Sequence, residues 1–180
     1  MMKKLFIWIA IIGGVVAIIG SCSSSEDTIT TTTSSSTTLP DYETTTLSGT
    51  IVNTAWTFNT GRMTVPSSSG SYWVSMTNDN LSNACSSTYT GTSSNPKVIF
   101  SRDNITVGET EFGLSSGTVT FYDGTTNYII TTGKISIDTL TTTAVTGKMY
   151  AKSTSGGEIN GTFTVSRCCL SGSNYALCSE

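Results

Sequence analysis

Residues 47–180 of this 180-residue chain read as an all-β domain, an antiparallel meander folded into a β-sandwich or flattened barrel. Three observations predict it. Apolar residues alternate with polar ones at period two, the mark of strands with one buried and one wet face. Glycines preceded by Ser, Thr or Asn recur at intervals of one strand plus one turn, and no window carries the apolar stripe of a helix. An apolar leader and a polar connecting segment precede this domain.

The leader opens Met-Met-Lys-Lys, runs apolar from Leu5 to Gly20, and ends Ile19-Gly20-Ser21-Cys22. Its 16 apolar residues fall short of the ~17–25 that a membrane span needs. An aliphatic residue, two small residues and a Cys after a basic start and an apolar run resemble the lipobox of bacterial lipoprotein signal peptides. The resemblance implies that residues 1–21 are removed and that the Cys22 thiol receives a diacylglycerol. The new amine is usually acylated as well, palmitate being a usual chain. At about 0.8 kcal/mol per buried methylene, two or three chains hold a protein on the bilayer almost permanently. The implied location is the cell envelope. Because Ser23 rather than Asp follows the Cys, it is the outer membrane in a host with two membranes, and otherwise the outer face of the plasma membrane.

From Ser23 to Thr46, 16 of 24 residues are Ser or Thr, and Pro40 is the only proline. Such a segment buries too little apolar surface to offset its conformational entropy. Residues 22–46 are therefore expected to form a lipidated Cys and a disordered tether with an r.m.s. reach of about 25–30 Å.

The remaining 134 residues are enough for one domain with a real core. Eight acids stand against seven bases within it, so it is nearly neutral and offers no basic footprint for nucleic acid. Its apolar parity runs through Val52, Trp56 and Phe58, then Tyr72, Val74 and Met76, then Val119 and Phe121. It continues through Ile135 and Ile137, then Val145, Met149 and Ala151, then Ile159, Phe163 and Val165. Seven to nine antiparallel strands are expected, with Asp123-Gly124 and Ser155-Gly156-Gly157 as hairpin turns. Gly49, Gly117, Gly133, Gly147 and Gly161 share one local motif, the last four spaced 16, 14 and 14 residues apart. They are expected at strand starts, where a bulge or bend lets backbones approach. The ending Gly161-Thr-Phe163-x-Val165-x-x-Cys168 is similar to that of many small bacterial lipoproteins with β-sandwich domains.

Beyond Cys22, four cysteines remain: Cys85, Cys168, Cys169 and Cys178. An even count in an exported chain favours two disulfides. Joining the adjacent Cys168 and Cys169 would strain the peptide between them, so Cys85 is expected to bridge one of the pair and Cys178 the other. A thiolate metal site is disfavoured, since the chain has no His and no Cys-x-x-Cys.

The absence of His also removes the usual base of Ser and Cys hydrolases, and no nucleophile-elbow or phosphate-loop pattern occurs. Glu109 with Glu111, and Asp123 with Asp138, are nominal carboxylate pairs for glycoside hydrolysis, but solvated surface acids are far commoner. The Asn78–Asn83 stretch has hard oxygen ligands without the closing Glu of a calcium loop. No catalytic, metal or cofactor assignment follows. Trp73, Tyr122 and Tyr150 occupy the parity opposite to their strands' apolar positions and are expected to face outward, where rings suit a glycan or a partner protein. The expectation is a membrane-anchored binding module, not an enzyme, taking a glycan, a small ligand or an envelope protein. The alternative is a structural or assembly lipoprotein.

Overall fold

The computed structural model describes residues 38–67, 70–86 and 95–179, so Cys22 and the leader lie outside the described residues. No helix occurs among them, and twelve strands form one sheet. These are β1 (Ser48–Ile51), β2 (Thr54–Thr57), β3 (Thr60–Thr64), β4 (Tyr72–Thr77), β5 (Lys97–Arg102) and β6 (Gly108–Glu111). They are followed by β7 (Val119–Tyr122), β8 (Asn127–Ile130), β9 (Thr132–Leu140), β10 (Ala144–Lys152), β11 (Gly157–Ser171) and β12 (Asn174–Leu177). The all-β class holds, with twelve strands among the described residues in place of seven to nine and one parallel pair, β3 with β11.

The order β6-β9-β10-β11-β3-β4-β5-β7-β8, with β1 and β12 on β11 and β2 on β1, is largely the expected meander. Two long stretches curl it into a half-barrel. Only Thr131 separates β8 from β9, although β8 pairs with β7 and β9 with β6 and β10 near the opposite end of the order. Strand β11 pairs with β10 and β1 along its first half and with β3 and β12 along its second. A sheet whose ends are joined through one residue must bend, and the bend encloses its apolar face.

That face is the one the alternation marked. Trp56, Val74, Met76, Phe121, Ile135, Met149, Ile159, Phe163 and Val165 are all in the core, joined by Leu47, Met63, Val98 and Phe100. The Trp56 indole N–H donates to the Pro96 carbonyl at 3.0 Å, which satisfies its one polar atom. Val52 instead sits in the β1–β2 turn with φ 45°, next to Asn53 at 64°. Two successive positive φ values are those of a type I′ hairpin turn. The Asp123 turn forms as expected, its carboxylate Oδ1 accepting the Thr125 and Thr126 amides at 2.8 Å.

Of the repeated glycines, Gly147 and Gly161 fall inside strands rather than at their starts. The close-approach reason stands at Gly147, where the β10–β9 register shifts and a Cβ would overlap the Ser136 carbonyl and the Phe163 ring.

Cys85 bonds Cys168 and Cys169 bonds Cys178, with Cα separations of 5.4 and 4.9 Å. Neighbouring residues of a strand point to opposite faces, so the vicinal cysteines take separate partners. The first disulfide ties the β4–β5 connection to β11; the second closes the β11–β12 hairpin.

The folded unit begins at Thr38, not Leu47. Residues 38–46, expected to belong to the disordered tether, lie against β11 as a strap. The Asn160 side chain accepts from the Glu43 amide at 3.1 Å and donates to the Asp41 carbonyl at 3.0 Å. The Thr162 amide donates to Thr45, and the Leu47 amide to Thr162, both at 2.8 Å. Side-chain and backbone hydrogen bonds hold this segment where apolar content alone would not.

Candidate functional site

The strap decides the fate of one expected outward ring. Tyr150 has the outward parity, but it is only 4% exposed. Its cross-strand neighbours are Lys134 on β9 and Asn160 on β11. Asn160 clips the strap, and the Lys134 ammonium lies 4.6 Å from the centre of the Tyr42 ring. Tyr150 therefore stands between two residues that both hold the strap, and it is not ligand-facing. Burial first, then the Glu158 charge, raises its phenol above the ordinary range. Tyr42 is raised in the same direction by burial and by Glu109.

Tyr122 is half-buried and occupied. Its hydroxyl donates to the Gly124 carbonyl at 2.6 Å, and the Lys97 ammonium lies 5.8 Å from its ring centre. Trp73 alone of the three is open, 56% exposed on β4.

The carboxylate pairs find structural roles. Glu109 and Glu111 lie on edge strand β6, and Glu109 approaches Lys134 at 3.9 Å. Asp138 pairs with Lys148 at 3.3 Å on β9, whereas Asp123 holds its own turn and is lowered to about 2 by the Thr126 and Thr125 amides. The Asn78–Asn83 stretch packs as a polar turn, with the Asp79 amide on Thr77 and the Leu81 amide on Thr60. Among the described residues no group of three or more Cys, Asp or Glu could hold a metal ion.

A cleft opens where β5 parts from β7. Strand β5 pairs with β4 as far as Tyr72↔Arg102, but with β7 only as far as Phe100↔Val119. Beyond that point the two chains part and leave a space of about 420 Å³ lined by Ser101, Arg102, Asp103, Asn104, Leu114 and Ser116. Its far wall is pinned by the Gly113 amide on Gly117 at 3.1 Å and the Ser116 hydroxyl on the Glu111 carbonyl at 2.9 Å. Leu114, 87% exposed, tops that wall.

Trp73 lies on the sheet face opposite to Arg102 and does not line the cleft. Ser101 is directly opposite it on β5, and Thr64 directly opposite on β3. Ser71, two residues back on the same face, donates its hydroxyl to Asp103 Oδ1 at 2.8 Å. The indole is thus an apolar plate set among hydroxyls.

Arg102 reaches across the cleft and donates to the Ser116 carbonyl at 3.3 Å. Burial lowers its pKa, with no opposing carboxylate among the causes. It takes part in none of the ion pairs found among the described residues, which join Lys134–Glu109, Lys148–Asp138 and Lys152–Glu158. At Gly117 a Cβ would stand 3.7–3.9 Å from the guanidinium, so the missing side chain leaves that face uncovered. Sequence reasoning singled out neither Arg102 nor the cleft. Comparison of the chain with protein-family models, with curated proteins and with solved structures returned no match.

Proposed function

We propose that the chain is an envelope lipoprotein anchored to the bilayer through acylated Cys22, and that its β domain is a non-catalytic binding module. Its ligand is a glycan, a small molecule or an envelope protein met at the face around Trp73. The observation that carries the reading is the indole, 56% exposed on a strand flanked on both sides. A large ring held open on a rigid frame costs solubility and gains only by contact.

The anchor is tested by labelled palmitate, which should enter the wild-type protein and not a Cys22→Ser variant. Binding is tested on the full chain in detergent micelles, screened against glycans and envelope fractions beside Trp73→Ala. Loss of a buried aromatic contact should weaken binding about tenfold or more. Equal binding by both proteins removes the aromatic site. Turnover abolished by Glu109→Gln or Glu111→Gln would overturn the non-catalytic reading.

One observation favours the structural alternative. The strap covers Tyr150 and the Tyr122 ring is held internally, so the open aromatic surface reduces to Trp73. An assembly role predicts that Trp73→Ala leaves every ligand screen unchanged.

A further inference from the structure

The cleft between β5 and β7 holds a cation on the sheet face opposite to Trp73. We infer that it is a second binding site, for a small monocarboxylate whose carboxylate group sits on the Arg102 guanidinium. It stands apart from the binding role of the Trp73 face, and either can fail alone. The strand register fixes where the guanidinium stands. Arg102 pairs with Tyr72 and shares the parity of Val98 and Phe100, both in the core, so it continues the enclosed face of the sheet beyond Phe100. Carrying the β5–β7 register past Phe100↔Val119 sets Gly117 across from it. Gly117 has φ 104°, a conformation that side chains rarely adopt, and a Cβ there would stand 3.7–3.9 Å from the guanidinium. The backbone thus keeps that side of the cation clear.

Charge and surroundings select the ligand class. A guanidinium presents five N–H donors in a planar fork that matches a carboxylate with two parallel bonds. Arg102 donates to the neutral Ser116 carbonyl and joins none of the three ion pairs among the described residues. Asp103 does not neutralise it, since that carboxylate takes the Ser71 hydroxyl on the other face. On the inner side of Arg102 a space of about 30 Å³ is walled in part by Ile105, Ile135 and Ile137, all buried. Apolar ground beside a charge strengthens its attraction for an anion, and the burial that lowers the Arg102 pKa would be offset by one. A phosphate dianion would call for further cations, yet no Lys and no other Arg lines either space. Asn104 lines both and brings an amide for a second polar group of the ligand. At about 420 Å³ the cleft falls toward the small end of ligand pockets, which fits one sugar ring or a dipeptide.

The test titrates the full chain in detergent micelles, by calorimetry and by backbone amide NMR shifts. The probes are lactate, glucuronate, galacturonate and N-acetyl-alanyl-alanine, each beside its primary amide, and inorganic phosphate. At least one acid should bind about tenfold tighter than its amide, with the gap shrinking as salt rises. Which acid shows the gap tells a sugar acid from a hydroxy acid or a peptide C-terminus. Its shifts should centre on residues 102–104 and 114–117, and Trp73→Ala should leave its affinity unchanged. Arg102→Gln should close the gap. Arg102→Lys, which keeps charge and bulk but not the fork, should narrow it and serves as the deciding variant if the Gln form melts early. Equal affinity for acids and amides, a gap that survives Arg102→Gln, or a tighter hold on phosphate than on every acid overturns the inference. So does an acid preference lost in Trp73→Ala, which would move the ligand to the opposite face.

Discussion

Removing the two disulfides separately should destabilise the domain unequally, and the structure sets the ratio. Cys85–Cys168 spans 83 residues and Cys169–Cys178 spans 9. In the loop-entropy model these closures contribute about 4.5 and about 2.6 kcal/mol at 25 °C. The smaller figure is an upper bound for the global transition, because the second bond closes a terminal hairpin whose strand β12 pairs, among the described strands, with β11 alone. That hairpin can open while the rest stays folded. At roughly 3–4 °C per kcal/mol for a domain of this size, Cys85→Ala with Cys168→Ala should lower Tm by about 13–18 °C. Cys169→Ala with Cys178→Ala should lower it by less than about 10 °C. Calorimetry on the oxidised full chain and the two double variants reads this directly, with non-reducing peptide maps to verify the surviving bond. A larger loss from the Cys169–Cys178 pair would refute the reasoning. So would a free Cys85 thiol in the native protein.

The strap and the β1–β2 turn give two further expectations. Asn160→Ala removes two exposed hydrogen bonds, should cost about 1–2 kcal/mol, and should speed amide exchange over residues 41–45. Because the folded state raises the phenols of Tyr42 and Tyr150, it favours their neutral form; that stability is full below the free phenol value near 10 and is lost as pH rises beyond it. Melts from pH 8 to 11.5 should be flat at first and then fall, and Tyr42→Phe should make the fall shallower; a Tm that rises above pH 10 contradicts the burial argument. Val52→Asn replaces a β-branched residue at φ 45° by one that tolerates the left-handed region. It should gain about 1 kcal/mol less the packing of the lost methyls, and a lower Tm would show that packing outweighs strain.

What the sequence disclosed was what depends on neighbours within one strand or one turn. Alternation placed Met149, Ile159, Phe163 and Val165 in the core, and Asp123-Gly124 fixed a hairpin without reference to anything distant. It did not disclose β6, whose Gly-Glu-Thr-Glu has no apolar rhythm because this edge strand, among the described strands, pairs with β9 alone. Nor did it disclose the parallel contact of β3 with β11, which joins residues about a hundred positions apart and is set by the curl of the whole sheet. The strap escaped for a related reason. Composition counts apolar area, whereas residues 38–46 are held by backbone amides and carbonyls that meet Asn160 and Thr162.

The candidate site shows the same division. Parity alone gave Trp73 its outward direction, and parity also explains why Arg102 could not be recognised from its surroundings in the chain. Arg102 and Asp103 are adjacent, so in sequence they look like a neutralised pair. In an extended chain consecutive side chains leave on opposite faces, and the two turn away from each other. Asp103 takes the Ser71 hydroxyl on the face of Trp73, while Arg102 crosses to the Ser116 carbonyl. The strand geometry thus converts a pair of cancelling charges into an open cation and an occupied acceptor at the two sides of one cleft. The divergence of β5 from β7 after Phe100↔Val119 leaves the open space beside that cation.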